Sequence, residues 1–332
     1  QTRGFLVLRG FLSAADIAFY REDFERQPLD ANRNYRIARS SPAANARLRG
    51  RIDDVLARVN GSTDLCVDFF DGGVYFSTGP KFGIRFPWHQ DSEPYFRFQN
   101  HYDYLNFYIP IVKPRRDKSN LCVLPFDVLA SADPQAHRYL YRSGASALLK
   151  VGGVPIWTCW DSASMHRMRV DVESLAETPY LHEGDLLLMR GDLVHRTQDS
   201  DTERVAISFR VARSSAVIER RRLVAGGHMK AVTMVNNAGM YRPMFLAFDR
   251  SGCERMRADE MRAALADTTP VDTSSKAFRR YLLMEKAKSG VLGRYLLDTT
   301  ATKTLDWCAR AIHGWQRRMS GLRPQRSRSA AQ

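Results

Sequence analysis

Arg204-Val205-Ala206-Ile207-Ser208-Phe209-Arg210-Val211 alternates charged or small residues with large apolar ones. Strand side chains point to opposite faces in turn, so Arg204, Ala206, Ser208 and Arg210 share one face. Val205, Ile207 and Phe209 form the other, which should pack on an outer layer. Upstream lie Asp185-Leu186-Leu187-Leu188-Met189, Ala147-Leu148-Leu149-Lys150, Leu121-Cys122-Val123-Leu124, Tyr104 to Ile111 and Cys66-Val67-Asp68-Phe69-Phe70. Each is short, and turn residues separate them: Asp71-Gly72-Gly73, Gly152-Gly153, Glu183-Gly184-Asp185 and Gly191-Asp192. Many short strands punctuated this way predict a mainly β fold of sandwich or jelly-roll (cupin-like) type. No long amphipathic helix alternates with them, which disfavours a βαβ sheet.

Helices flank this core. Gly4 to Leu12 reads as a strand and turn, with Ser13 as N-cap of a helix from Ala14 to about Arg26. Leu48 to Val59 is a second helical stretch. After Val211, Met256 to Leu265, Lys276 to Lys288 and Leu305 to Met319 have helical apolar spacing. The expected division is a β core with N-terminal helices over 1–212, a mainly helical extension over 213–320 serving as lid or homodimer contact, and a disordered basic tail over 321–332.

Composition limits the setting. Hydrophobic content of 44% and charged content of 26% suit a globular protein, and no apolar run reaches the roughly 20 residues that span a bilayer. Five scattered cysteines without a Cys-x-x-Cys pair argue against a zinc site or disulfide framework and for a reducing, cytoplasmic setting. A formal net charge of +14 favours an anionic partner, although the late arginine clusters read most simply as solvated surface.

Trp88-His89-Gln90-Asp91 carries the sharpest chemistry. Residues two apart on a strand share a face, so His89 and Asp91 can offer an imidazole and a carboxylate together. The candidate third metal ligand is His195, in Gly191-Asp192-Leu193-Val194-His195. Two histidines and one carboxylate on one face of iron(II) leave positions open for a co-substrate and O2. Thr197, two residues past His195, and Arg204, at the start of the next strand, supply a hydroxyl and a guanidinium fork suited to the distal carboxylate of 2-oxoglutarate. Ser77 and Lys81, with Tyr75, precede the metal motif and are candidates for its C1 carboxylate. Arg210, Tyr104 and Asn106 are candidate substrate contacts. Arg210 should face inward like Arg204, either paired with Asp68 or Asp103 or receiving an anionic substrate group. Tyr95, Phe96, Phe98, Tyr102 and Tyr104 either line a cavity or fill the core.

In combination these motifs resemble the phytanoyl-CoA dioxygenase family of iron(II)/2-oxoglutarate oxygenases. Gly4 to Ser13 resembles its N-terminal strand and helix entry, Pro87-Trp88-His89-Gln90-Asp91 its metal motif, and Glu183 to His195 with Arg204 to Ser208 its closing strands. The resemblance implies a double-stranded β-helix in which His89, Asp91 and His195 bind iron while Arg204 and Thr197 bind the C5 carboxylate of 2-oxoglutarate. It implies O2-dependent hydroxylation, or desaturation or cyclisation, at a C–H bond of a small or medium polar metabolite of secondary metabolism. Related halogenases lose the carboxylate that Asp91 retains. Two departures stand out: the segment from His195 to Arg204 is shorter than usual, and Lys118 to Asp127 replaces a common Pro-Gly-Ser-His turn. The extension after Val211 has no counterpart. Two other readings are a demethylase of nucleic acid, on the Arg204/Arg210 spacing that resembles AlkB-type enzymes, and a catalytically silent β-barrel binding protein. No basic-aromatic stacking motif supports nucleic acid as partner.

Overall fold

The computed structural model describes residues 2–300 and 303, except 29, 32–35, 61–64, 68–71, 81–85, 152–153, 163 and 267–270. The strands in the first part of the chain are β1 (Phe5–Leu8), β2 (Asp30–Ala31), β3 (Arg36–Arg39), β4 (Leu65–Val67), β5 (Val74–Thr78), β6 (Tyr104–Val112) and β7 (Leu121–Val123). They are followed by β8 (Ser146–Val151), β9 (Val154–Cys159), β10 (Met165–Arg167), β11 (Leu186–Arg190), β12 (His195–Thr197), β13 (Arg204–Arg213), β14 (Val217–Glu219) and β15 (Arg255–Arg257). The α-helices before β13 are α1 (Ala14–Arg26), α2 (Pro42–Asn60), α3 (Ser92–Phe98), α4 (Phe126–Ala132) and α5 (Pro134–Arg142). After β13 come α6 (Arg220–Val224), α7 (His228–Asn236), α8 (Ala238–Ser251), α9 (Ala258–Leu265) and α10 (Ser275–Lys288).

The larger sheet is antiparallel in the order β1-β11-β6-β13-β5-β3-β2, with β4 also on β13. A smaller sheet holds β10-β9-β8 and the pair β12-β7, and single bridges from His89 to Ala147 and to His195 connect them. The two sheets face each other. Tyr108, Leu187, Met189 and Ala206 of the larger meet Leu121 and Val123 of the smaller in one apolar cluster.

The alternation in β13 decides what lies where. Val205, Ile207, Phe209 and Val211 pack outward with Leu48, Ile52 and Tyr20 from α2 and α1. Ala206 packs inward, between the sheets. Helix α1 begins as expected, because Ser13 and Asp16 cap each other's backbone amides. Asp16 also takes Arg47 and Arg51 from α2, tying the two helices together.

The helices after β13 form a layer of their own. Phe245, Phe278, Met244, Tyr241 and Leu282 pack with Phe96 and Phe98 of α3 and with Tyr104 and Ala212 at the end of the larger sheet. The extension is therefore continuous with the core through α3, the helix that follows Asp91. Leu305 to Met319 and the basic tail lie outside the described residues. Among the described residues, no helix is long and apolar enough to cross a membrane.

Candidate metal centre

His89 sits between β8 and β12, exchanging backbone hydrogen bonds with His195 at 2.9 and 3.0 Å. That pairing brings the two imidazoles side by side, with ring centroids 4.5 Å apart. Asp91 occupies the N-cap position of α3 but makes no capping bond, so its carboxylate can turn towards the rings. Its Oδ1 lies 3.7 Å from Nε2 of His89 and 3.7 Å from Nε2 of His195. One potential ligand atom from each of the three residues falls within 4.8 Å of the others, a cluster suited to a metal ion.

The rings are already in the ligand tautomer. Nδ1 of His89 meets the Pro87 carbonyl at 2.7 Å, and Nδ1 of His195 meets the Leu193 carbonyl at 3.0 Å. A carbonyl only accepts, so each Nδ1 carries a proton, which leaves Nε2 as the nitrogen turned towards a metal. Burial, then the neighbouring His89, pushes His195 down to about 4, so it is neutral near pH 7. Burial works against ionising Asp91, but the Arg210 guanidinium and the two histidines outweigh it and hold the carboxyl well below its usual range. Two imidazoles and one carboxylate are the donor set that leaves an iron(II) ion with open positions.

Residues around the ligands fix them. Gln90, buried between the two ligands of its motif, donates to the carbonyls of Asp192 and Leu140 and accepts from the Ser146 amide. Its place between two residues that face the site puts it on the opposite side, a signal carried by the alternation of the motif itself. Trp88 packs behind the site, its indole donating to Glu173. Asn106 and Arg210 donate to Asp91 Oδ2 at 2.9 and 3.2 Å. Arg210 thus meets a protein carboxylate, the first of the two roles expected for it. Its partner is Asp91; Asp68 and the side chain of Asp103 lie outside the described residues. Asn106 faces Asp91 through its amide nitrogen. Tyr104 is core, with its hydroxyl donated to the Gly191 carbonyl at 3.0 Å, since the helical layer covers that end of β6.

A second group of inward residues surrounds Arg204. This guanidinium is 3% exposed, donates from Nη1 to the Ser119 carbonyl, and has no carboxylate within 4 Å among the described residues. Its Nε, the hydroxyl of Tyr108 and Oγ1 of Thr78 are buried without a hydrogen-bond partner among the described residues. Lys113 lies close by, and burial followed by the charge of Arg204 pushes its ammonium down to about 8. A buried arginine with no counter-ion is costly, so these groups fit a bound carboxylate. Thr197 shares the facing of His195 and accepts from the Phe86 amide. Ser77 does not join this group. It alternates onto the face of Tyr75, which packs towards α1 and α2, and the neighbour that pairs with Arg204 is Thr78. Lys81 lies outside the described residues.

No family model and no curated protein matches the chain. Among solved structures it is similar to HygX from Streptomyces hygroscopicus with nickel and 2-oxoglutarate bound, at 17% identity over 64% of this chain and 84% of that one, with a TM-score of 0.42. It is similar to the non-haem α-ketoglutarate-dependent epimerase SnoN from nogalamycin biosynthesis, at 14% identity over 65% and 81%, with a TM-score of 0.44. EvdO2 from Micromonospora carbonacea var. aurantiaca matches at 14% identity over 64% and 87%, with a TM-score of 0.41.

Proposed function

We propose that this protein is an iron(II)- and 2-oxoglutarate-dependent oxygenase. His89, Asp91 and His195 would hold the iron, and the two sheets between them would form the double-stranded β-helix. The observation that carries the reading is the pairing of two sites on one inner face. One is a ligand cluster with both Nε2 atoms turned to a single carboxylate oxygen. The other is a buried Arg204 with no carboxylate partner among the described residues.

Bound iron and 2-oxoglutarate would together supply O2 activation and oxidation of a C–H bond. The chain's own residues do the rest. Pro87 and Leu193 carbonyls keep the imidazoles in register. Arg204, with Thr78 and Tyr108 near it, would receive the C5 carboxylate together with Thr197 and so fix the reacting end at the metal. The burial of Arg204, Thr78 and Tyr108 would keep water from that end. The substrate class we favour is a small or medium polar metabolite, hydroxylated or, by the same chemistry, desaturated or cyclised.

The test is succinate formation. The full chain supplied with Fe(II), 2-oxoglutarate and O2 should release succinate slowly even without substrate, and His195→Ala and Asp91→Ala should abolish it. Undiminished succinate from both variants would remove the assignment.

A further inference from the structure

Asn106 and Arg210 are register partners across β6 and β13, so both side chains leave the inner face at one level. Both end on the same atom. Asn106 Nδ2 donates to Asp91 Oδ2 at 2.9 Å and Arg210 Nη2 donates to it at 3.2 Å. A carboxylate oxygen only accepts, so the amide nitrogen of Asn106 must face Asp91. Its Oδ1 is then left buried, with no hydrogen-bond partner among the described residues. Asn106 itself is 2% exposed. An orphaned buried acceptor costs stability that an apolar residue of the same shape would not. The stability of the fold does not explain this asparagine, but the orientation of Asp91 does.

We infer that Asn106 and Arg210 lock Asp91 as a one-oxygen metal ligand. They are positioning residues, acting through Asp91. The inference rests on the metal reading above and concerns how many positions that metal keeps open. Carboxylates bind divalent ions through one oxygen or through both. Here Oδ1 faces both imidazole Nε2 atoms at 3.7 Å, while two donors hold Oδ2 away from them. A six-coordinate ion held by three protein atoms keeps about three positions, enough for a chelating 2-oxo acid and O2. Were Oδ2 free to swing onto the ion, one of those positions would be lost.

The probe is Mn(II), whose inner-sphere waters are counted from the relaxation of solvent protons in the full chain. The wild type should bind Mn(II) with about three waters, as a monodentate triad requires. The double variant Asn106→Leu/Arg210→Met should still bind it but lose about one water, lowering the relaxation enhancement by about a third. Asn106→Leu alone should move the count in the same direction, and it carries the test if the double variant does not fold, because it removes a buried unpartnered acceptor. Unchanged water counts in the folded variants would overturn the lock while leaving the metal site intact. A wild-type chain that binds no Mn(II) would overturn the metal reading itself, and the lock with it.

Discussion

Thr78 and Arg204 are register partners across β5 and β13, and each brings to the inner face a buried polar atom with no partner among the described residues. The pair gives the far end of the candidate co-substrate site a definite location. Arg204→Ala should lower 2-oxoglutarate affinity by about 2–5 kcal/mol, as other truncated buried charge contacts do. Metal binding should survive, because no ligand touches this residue. Calorimetric titration of the Mn(II)-loaded chain with 2-oxoglutarate reads both quantities, and equal affinities in variant and wild type would remove Arg204 from the site.

Thr78→Val and Tyr108→Phe separate a binding role from a packing role. Burial lifts the Tyr108 phenol above its ordinary range, so it is a neutral donor at pH 7. If these hydroxyls wait for a ligand, deleting them should leave the apoprotein unchanged or stabilise it by up to about 1 kcal/mol, since no bond is lost. Affinity for 2-oxoglutarate should fall in both. Denaturant midpoints together with titrations check this. A large loss of apoprotein stability would mean the hydroxyls serve the fold.

Asp16 gives the α1–α2 pair an acid limit. Burial opposes its ionisation, but Ser13 and Arg47 prevail and bring the carboxyl from 3.8 down to about 2. A carboxyl depressed in the folded state stabilises above its unfolded value and loses that contribution as pH falls through the folded one. The stabilisation should therefore be complete above about pH 4, fade towards pH 2, and amount to about 1–2 kcal/mol. Asp16→Asn should cost that much at pH 7 and almost nothing at pH 2. A constant difference across an unfolding series from pH 7 to pH 2 would show the effect is not ionic.

Ending the chain after Arg213 should expose the apolar side of α3. Phe96, Phe98 and Tyr104 are covered by Phe245, Tyr241 and Met244. Losing that layer also uncovers the helix that begins beside Asp91, so the truncated chain is expected to aggregate and to bind Mn(II) at least tenfold more weakly, by roughly the cost of losing support around a ligand. Light scattering and metal titration decide. A soluble truncated chain with native metal affinity would make the layer dispensable.

The two faces of β13 were legible because one strand carries its own period, and so was α1, whose Ser13 cap and boundaries match the structure. Helix α2 starts earlier than its apolar spacing shows, at Pro42, a residue suited to a first turn. What a single segment cannot reveal is its partner. Ser77 looks suited to a site until its pairing with Val205 turns it away and the pairing of Thr78 with Arg204 turns the next residue in. Likewise the guanidinium of Arg210 and the carboxylate of Asp91 are 119 residues apart, and only the folded sheet brings them together. Strand β9 was hidden by Pro155 and the preceding glycines, which read as a turn. The short β15 was read as the start of a helix at Met256, because its pairing with β14 is a tertiary fact.

His89 joins the two parts of the smaller sheet with its main chain, not with its ring. The amide and carbonyl of His89 bond to His195, and the flanking carbonyl of Trp88 and amide of Gln90 bond to Leu148 and Ser146. An imidazole lost at position 89 would leave that seam stitched. The metal role proposed for His89 is therefore separable from the architecture: its ring can change while the main chain goes on joining the sheet.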